Sequence, residues 1–470
     1  MITVPASGVG GNVRFQDVLE PFLQQPGLPF ADVLDAETVE EVFRRHGALF
    51  ATDGIFSTPV VLSAFLAQVL RDGKGAACSA AVADIATYMH QTGRCPPSGD
   101  TGDYCRARAK LDPAALRDLA GGLARELDDQ ARGEWLWHGR RAKLVDGTTF
   151  TMPDTPGNQR AFPQQKSQQP GVGLPIARAC AVLSLATGAI HDMAFGPYQG
   201  KQTGETALLR EMLDGFDPGD VVVFDRYYCS FMMLSQLKAR GVDVCARLHQ
   251  RRPNDLRRGR RLDHCDRLMT WRRPERPKWM TPEEYEQIPE TLTVRILKFN
   301  VTVSGRRVET ITIATTLTDP VAYPKEVIAE LYGFRWNAEL DIRSIKQALG
   351  LDHVRCKSPE MVERELWVTL LAYNLIRRLI ATAAGVHHKQ PRRLGFTLAC
   401  QTVLSSWMLL ATGTCRDVRE LTASALARIA ANEMPNRPGR IEPRVLKRRR
   451  HRYPLMRKPR AALRAELLKT

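Results

Sequence analysis

The 470-residue sequence lacks several patterns that would place it in other classes of protein. Its ten cysteines include no Cys-x-x-Cys pair, and His264-Cys265 has no partners at metal-binding spacing, so no zinc site is expected. No stretch approaches about 20 uninterrupted apolar residues, and the N-terminus lacks a basic segment followed by an apolar one. A membrane span and a secretory leader are therefore not expected. Cys180, Cys229 and Cys245 lie within apolar runs, which is typical of reduced core residues in a cytoplasmic protein.

The bulk composition is ordinary except for its charge. Hydrophobic residues make up 44% and charged residues 25%, as in folded globular chains, and the length suits about two or three structural units. Lys and Arg outnumber Asp and Glu by 67 to 51, which gives a formal net charge of +16. This excess favours a polyanionic partner, because cations that neutralise phosphates release condensed counterions.

The positive charge is concentrated in two blocks. From Arg437 to Lys469, thirteen Lys and Arg stand against Glu442 and Glu466, a net +11 (13 − 2). The second block extends from Arg247 to Lys278. Blocks of this kind are often solvated or disordered. Both flank the segment that carries the candidate chemistry, and this position favours contacts with DNA.

Helical patterns run through the N-terminal part of the chain after a Gly-rich start. Asp35 and Asp112 each precede apolar residues at helical spacing, and Pro59 stands in the first turn after Thr58. Short helices joined by turns form helix-turn-helix DNA-binding domains. An all-helical packing domain without a role in DNA binding is the alternative.

The composition changes near Ala142, where strand patterns begin. The predicted elements are strands at 143–152, 177–185, 191–195, 220–226 and 242–248, and helices at 203–213 and 231–239. A hairpin followed by alternating helices and strands predicts an α/β fold with a mixed sheet flanked by helices.

These patterns divide the chain into five predicted segments. They are a helical N-terminal DNA-binding domain (1–137), the first part of a catalytic core (138–250), a β-rich insertion (251–310, hereafter the insertion), the second part of the core with a long helix from Lys325 to Leu349 (311–385), and a helical C-terminal region with a basic tail (386–470).

Three acids lie where carboxylates from neighbouring elements can converge. Asp146 is within the first predicted strand, Asp225 ends the strand Val-Val-Val-Phe, and Glu339 is on the long helix. Carboxylates from two strands and one helix can bind a pair of Mg²⁺ ions, which prefer oxygen ligands and clamp the attacking and leaving oxygens of a phosphoryl transfer. A single Asp at a strand end is more often a turn or cap residue, so the hypothesis depends on all three acids.

The helix around Glu339 gathers several polar groups on one face. Relative to Tyr332, the offsets of Arg335, Glu339 and Lys346 are 3, 7 and 14. At about 100° per residue, all four side chains fall within an arc of roughly 60°. A carboxylate flanked by two cations and a phenol suits a phosphate that lies across the helix, held by two hydrogen bonds from Arg335. We therefore predict that Tyr332, Arg335 and Lys346 contact DNA.

At these positions the sequence resembles the DDE transposases with the Tyr-Arg-Glu-Lys signature, which are bacterial insertion-sequence enzymes of the insertion-sequence-four group. The resemblance rests on Asp-Gly-Thr at 146–148, Asp225-Arg226 after an apolar strand, and Tyr-x-x-Arg-x-x-x-Glu-x-x-x-x-x-x-Lys at 332–346. It covers about 140–350 by motif and, more loosely, the helical N-terminal segment and the basic C-terminal one. The helix motif is its specific part.

The resemblance implies an RNase H-like catalytic core with a β-rich insertion between the second Asp and the Glu. It implies cut-and-paste transposition through hairpin DNA, by a homodimer that holds paired transposon ends. Asp146, Asp225 and Glu339 would ligate two Mg²⁺ ions, for which Mn²⁺ substitutes, and the rest of the signature would hold DNA phosphates near the cleavage site. The implied partners are the double-stranded DNA of the transposon ends and of the target, in the cytoplasm at the nucleoid.

In the hairpin step of this family, a tryptophan of the insertion stacks on a flipped base, as aromatic side chains do on splayed bases. Trp271 and Trp279 are the candidates here, and a structural role is the alternative for each. Trp336 is expected to pack, as are Tyr227 and Tyr228.

Two other functions remain compatible with these residues. One is a metal-dependent DNA nuclease or resolvase on the same fold, without strand transfer. The other is a non-catalytic, domesticated DNA-binding protein. The polar face of the long helix and the basic tail favour the transposase, because strand transfer needs contacts with several DNA segments. The presence of all three acids argues against a decayed element.

Overall fold

A computed structural model describes residues 34–51, 54–91, 93–249, 257, 259–301, 309–411, 418–434 and 456–468. The Gly-rich start, most of the basic tail and part of the basic block in the insertion lie outside the described residues. The chain divides into two compact units, which comprise residues 1–123 with 367–433 and residues 124–366 with 434–470. No helix in the described ranges is both long and apolar enough to cross a membrane.

Most of the helices and strands lie where the sequence patterns predicted them. The helices are α1 (Ala36–Arg45), α2 (Thr58–Leu70), α3 (Cys78–Gln91), α4 (Gly102–Arg108), α5 (Pro113–Asp129), α6 (Pro156–Ala161), α7 (Glu205–Arg210), α8 (Phe231–Ala239), α9 (Pro282–Glu286), α10 (Lys325–Gly333), α11 (Trp336–Ala348), α12 (Pro359–Val386), α13 (Phe396–Ala411), α14 (Val418–Ala431) and α15 (Arg460–Leu467). The strands are β1 (Ala142–Thr151), β2 (Ile176–Ser184), β3 (Ile190–Pro197), β4 (Val221–Phe224), β5 (Asp243–Arg247), β6 (Arg260–Asp263), β7 (Asp266–Arg272), β8 (Thr291–Val301) and β9 (Glu309–Thr315).

The first unit is helical in its described residues, and helices α1 and α2 begin at the predicted signals. The Asp35 carboxylate accepts a hydrogen bond from the N–H of Thr38 (2.6 Å) and caps α1. Pro59 stands in the first turn of α2, where a missing N–H costs no helical hydrogen bond. Within the unit, Asn374 of α12 donates to the carbonyl of Ala120 in α5 (2.9 Å). The role of this unit in DNA binding stays a prediction.

The second unit contains a nine-stranded mixed sheet in the order β3-β2-β1-β4-β5-β9-β8-β7-β6. β1 pairs antiparallel with β2 and parallel with β4, which in turn pairs parallel with β5. This order and these directions, from β3 to β5, are those of the RNase H-like fold. Helices α7, α8, α10 and α11 pack against these strands. The predicted fold class, a mixed sheet flanked by helices, is confirmed.

The strands of the insertion continue the same sheet. β9 pairs with both β5 and β8, and β7 and β6 extend the sheet beyond them. Arg295 of β8 and Asp266 of β7 form a fully buried ion pair, with Nη2 of Arg295 2.6 Å from the Asp266 carboxylate. The guanidinium also donates to the carbonyl of Tyr323 (2.6 Å). This contact joins the insertion to the segment that precedes α10.

Removal of one partner of this buried pair is expected to destabilise the protein strongly. Asp266→Ala should lower the free energy of unfolding by about 3–5 kcal/mol, because it leaves the Arg295 charge buried and unpaired. The matched control is Asp214→Ala, which breaks the pair between Arg240 and Asp214, whose side chain is 94% exposed. That control should cost about 0–1 kcal/mol. Urea denaturation measures the free energy of unfolding of both variants. Equal losses of stability would contradict the expected difference between the buried and the exposed ion pair.

Candidate active site

Two of the predicted acids occupy equivalent positions on neighbouring strands. The parallel register of β1 and β4 pairs Val145 with Phe224, and Asp146 and Asp225 are the next residues on each strand. The four residues of β4 are all buried, as in a parallel strand covered on both faces. β4 ends where the chain reaches Asp225, whose carbonyl accepts the N–H of Tyr228 in the following turn (3.2 Å). The sheet itself therefore places these two acids side by side.

The predicted long helix from Lys325 to Leu349 is wrong, because the structure has two helices there. α10 ends at Gly333 and α11 begins at Trp336. At the junction the N–H of Arg335 bonds to the carbonyl of Tyr332 (3.1 Å), three residues back, as in a tighter helical turn. Glycine is a poor helix former, which explains a break at this point.

Arg335 joins the first and the third acid. Its Nη2 lies 2.8 Å from Oε1 of Glu339, one turn further along α11, and its Nη1 lies 3.6 Å from Oδ2 of Asp146 on β1. The other oxygen of Asp146 accepts the N–H of Gly147 (2.9 Å). The structure thus brings Asp146, Glu339 and Arg335 together, beside the strand end that carries Asp225.

The pKa values of Asp146 and Arg335 are both raised at this site. Burial raises the pKa of Asp146 to about 6, and the nearby carboxylates of Glu339 and Glu205 add to this rise, while Arg335 and the Gly147 N–H oppose it. Burial works against the charged guanidinium of Arg335, but its hydrogen bond to Glu339 raises the pKa of Arg335 overall. Arg335 is shared between the carboxylates of Asp146 and Glu339, and Glu205 adds a further negative charge near Asp146, so additional positive charge is favourable there.

Tyr332 and Lys346 flank this cluster at its two ends. Tyr332 is buried, and burial raises the pKa of its phenol to about 12. The Nζ of Lys346 lies 3.0 Å from the exposed carboxylate of Asp352. The segment around Asp352 is itself bonded to the end of β1, where Thr151 donates to the Asp352 carbonyl (3.0 Å). The C-terminal end of α11 is therefore tied to the strand that carries Asp146.

The two tryptophans of the insertion lie in different surroundings. Trp271, on β7, is only 8% exposed and belongs to the main hydrophobic core of the sheet. Trp279 is half-buried against the same core, and the guanidinium of Arg210 lies over its ring at 3.8 Å from the centroid.

The aromatic residues next to the acids differ from expectation in two cases. Trp336, which was expected to pack, is 47% exposed at the start of α11. Tyr227, in the turn after Asp225, is 53% exposed and was also expected to pack. Tyr228 is buried as expected. A turn that follows a strand end directs alternate side chains outward, and a single sequence does not show which of two adjacent tyrosines points inward.

The sequence analysis missed one acid at this site. Glu205 is the first residue of α7, and its Oε2 accepts a hydrogen bond from the Tyr228 hydroxyl (3.1 Å). Its charge contributes to the raised pKa of Asp146. An acid in the first turn of a helix is also what favourable helix-dipole interactions produce. The sequence pattern alone therefore gave no reason to single it out.

The residues present fit a Mg²⁺ site that is completed by other ligands. In the part of the chain that the structure describes, no three His, Cys, Asp or Glu side chains converge closely enough to hold one ion. Mg²⁺ is, however, commonly bound by one or two carboxylates together with water and substrate phosphates. The excess of carboxylate charge around the largely buried Asp146 is consistent with such a site.

Comparisons with known proteins identify the family of the chain. A transposase DDE domain matches residues 137–375. The transposase InsG of insertion sequence element IS4 from Escherichia coli (strain K12) is 28% identical over 356 residues, which are 74% of this chain and 77% of that protein. A piggyBac transposase synaptic complex with hairpin DNA aligns with a TM-score of 0.40 and 9% identity, over 82% of this chain and 80% of that one. The last likeness is too low to inform the fold or the function.

An RNase H-like sheet with acids at equivalent positions of two neighbouring strands and a third acid on a following helix defines the class of DDE enzymes. The matched domain spans more than half of the chain. The chain therefore belongs to the DDE transposases and is a DNA transposase.

The raised pKa of Asp146 predicts that the stability of the protein depends on pH in the presence of a chelator. The pKa of about 6 in the folded state lies above the ordinary value of 3.8, so ionisation of Asp146 costs folding free energy. This cost grows as the pH rises from about 4 to about 6 and is then constant. Asp146→Asn should therefore be more stable than the wild type by about 1–3 kcal/mol at pH 8, and by less at pH 5.

Urea denaturation at both pH values with a chelator measures this difference. Asp214→Asn, at a highly exposed position, is the control and should show no comparable change. An advantage of Asp146→Asn that is absent at pH 8, or larger at pH 5, would contradict the burial argument.

Proposed function

We propose that this transposase moves its own insertion sequence by Mg²⁺-dependent cleavage at the element's ends and strand transfer of the freed 3′-OH into target DNA. The movement is cut-and-paste, passes through hairpin ends, and is carried out by a homodimer on paired ends. The observation that supports it most directly is the placement of Asp146 and Asp225 side by side on β1 and β4, with Glu339 linked to Asp146 through Arg335.

Asp146, Asp225 and Glu339 would hold two Mg²⁺ ions, for which Mn²⁺ substitutes. When bound, the ions supply a lowered pKa for the attacking water and stabilisation of the charge on the leaving oxygen. The carboxylates provide hard oxygen ligands on elements that the sheet keeps rigid. No histidine is required as a base in this chemistry, and none is part of the described cluster around Asp146.

Arg335, Tyr332 and Lys346 would hold DNA phosphates. Arg335 shares its guanidinium between Asp146 and Glu339, and cations that neutralise these acids leave it available for a phosphate. Tyr332 is protonated at neutral pH, as an ordinary phenol is, and burial raises its pKa further to about 12, so its hydroxyl is a hydrogen-bond donor. The pair of Lys346 with an exposed carboxylate is worth at most about 1 kcal/mol, so a phosphate replaces that carboxylate at little cost.

Exposed basic residues of the insertion extend this surface for double-stranded DNA. Described members of the basic block that face solvent are Arg257, Arg260, Arg261, Arg272, Arg276 and Lys278. Their charge adds to the +16 of the whole chain. Binding to DNA should accordingly weaken as the salt concentration rises.

For the hairpin step, Trp279 is the better of the two candidates for stacking on a flipped base. Its ring is half-buried and carries the Arg210 guanidinium on one face, a cation–π contact that a base is able to replace. Trp271 lies in the core, where its ring already packs against neighbouring side chains. We therefore assign the stacking role to Trp279 and keep Trp271 as the residue that supports the strand.

The catalytic assignment is tested by Glu339→Gln on a duplex that carries the element's own ends, with Mg²⁺. Loss of the carboxylate should reduce cleavage and strand transfer at least about 100-fold. Losing a residue that only supports a metal ligand costs about 10- to 100-fold, and losing the ligand itself should cost at least the upper value. Binding to the ends should stay nearly unchanged. The matched control, Glu330→Gln, changes an exposed acid on α10 and should leave both products intact.

Each outcome of this experiment has a distinct meaning. Equal activity of Glu339→Gln and wild type would make Glu339 a structural residue and remove the assignment. Cleavage by wild type without joining would favour a nuclease or resolvase. Binding of the ends without any cleavage would favour a domesticated DNA-binding protein.

The two tryptophans should separate in a second experiment. Trp279→Ala is expected to slow hairpin processing by about 5- to 100-fold, since a stacked base contributes about 1–3 kcal/mol. Its ring is only half-buried, so the loss of stability should be smaller than for Trp271→Ala. Trp271→Ala should instead lower the free energy of unfolding by about 3–5 kcal/mol, because it leaves a core cavity. Fluorescence of 2-aminopurine at the terminal positions reports the flipped base, and an unchanged signal in Trp279→Ala would exclude its role.

A further inference from the structure

Glu205 lies against the Asp146-Gly147 segment of β1. A Cβ atom at position 147 would stand 2.5 Å from each oxygen of the Glu205 carboxylate, closer than a side chain tolerates. Gly147 does not have a positive φ, so its backbone conformation is open to other residues. The glycine is therefore explained by the space that Glu205 occupies, and a larger residue at 147 would push this carboxylate away from Asp146.

A hydrogen bond from the neighbouring strand end orients Glu205. The hydroxyl of Tyr228 donates to Oε2 of Glu205 at 3.1 Å. Tyr228 is buried in the turn that begins at Asp225, and burial raises the pKa of its phenol, which keeps the donor proton in place. The turn after the second acid thus holds the side chain that directs Glu205 toward the first.

Glu205 has no cationic partner among the described residues. Arg335 forms its ion pairs with Asp146 and Glu339, and no described Lys, Arg or His forms one with Glu205. The Glu205 and Asp146 carboxylates repel each other, and Arg335, which pairs with Asp146 and Glu339, forms no ion pair with Glu205. A divalent cation bound between the Glu205 and Asp146 carboxylates would relieve this repulsion.

We propose that Glu205 is a fourth carboxylate of the metal centre and binds the divalent cation together with Asp146. The inference rests on the proposed function, in which Asp146, Asp225 and Glu339 hold the ions. It also gives a role to two further residues. Gly147 admits the Glu205 carboxylate, and Tyr228 orients it.

The test is a Mn²⁺ titration of the full-length chain without DNA, followed by electron paramagnetic resonance of the free ion. Glu205→Gln keeps the shape of the side chain and an acceptor for Tyr228 but removes the charge. It should weaken Mn²⁺ binding by about 10-fold or more. Glu211→Gln changes an exposed acid directly after α7 and should bind Mn²⁺ like the wild type. Asp146→Asn serves as the reference for a lost ligand.

A second variant reaches Glu205 without replacing it. Tyr228→Phe removes the hydrogen bond that orients the carboxylate and should weaken Mn²⁺ binding by less than Glu205→Gln does. Thermal melting with a chelator should show Glu205→Gln to be at least as stable as the wild type, because the substitution removes a repulsive charge.

The outcomes separate this inference from the proposed function. If Asp146→Asn loses Mn²⁺ while Glu205→Gln and Tyr228→Phe bind it like the wild type, Glu205 is not a ligand and the three-acid centre stands. If the wild type binds no Mn²⁺, the metal centre itself falls and this inference falls with it. If Glu205→Gln and Glu211→Gln both bind less Mn²⁺ than the wild type, and by the same amount, the effect is one of general charge. The assignment of Glu205 is then overturned.

Discussion

Arg335 holds two carboxylates that would otherwise repel each other, and the site is arranged around this contact. One carboxylate comes from the middle of a buried strand and the other from the first turn of a helix that packs on that strand. A second aspartate stands beside the first by the register of β1 and β4. Burial of acids in this way is unfavourable for folding, as the raised pKa of Asp146 shows. The fold tolerates the cost because the neighbouring strands β2 and β4 are buried and form a large core around this position.

The sheet fixes the positions of the acids, and contacts outside the cluster stabilise this arrangement. The end of α11 is bonded to the end of β1 through the segment at Asp352, so helix and strand do not separate easily. The buried pair of Arg295 and Asp266 attaches the insertion to the segment before α10. The proposed phosphoryl transfer benefits from this arrangement, since its rate depends on precise placement of the reacting groups.

The places where the sequence-based expectations failed are local. The predicted long helix is interrupted after Gly333. Glycine has a low helix propensity, and the chain forms a tighter turn with a hydrogen bond to the third residue back. Trp336 and Tyr227 are exposed although aromatic residues usually pack, and each lies within three residues of one of the acids. Glu205 escaped notice because the feature that marks it, its contact with Gly147 and Tyr228, joins segments far apart along the chain.

The sequence by itself determined the alternation of strands and helices, the apolar strand that ends at Asp225, and the spacing of Arg335, Glu339 and Lys346, because periodicity and short motifs are properties of local segments. Tertiary structure alone decided which acids meet, since strand register and helix packing bring residues from distant positions together. It alone placed Glu205 at the site, assigned Trp271 to the core and left Trp279 beneath Arg210. Burial, which sets the pKa of Asp146, depends on the neighbours that the fold supplies and cannot be read from the chain in one dimension.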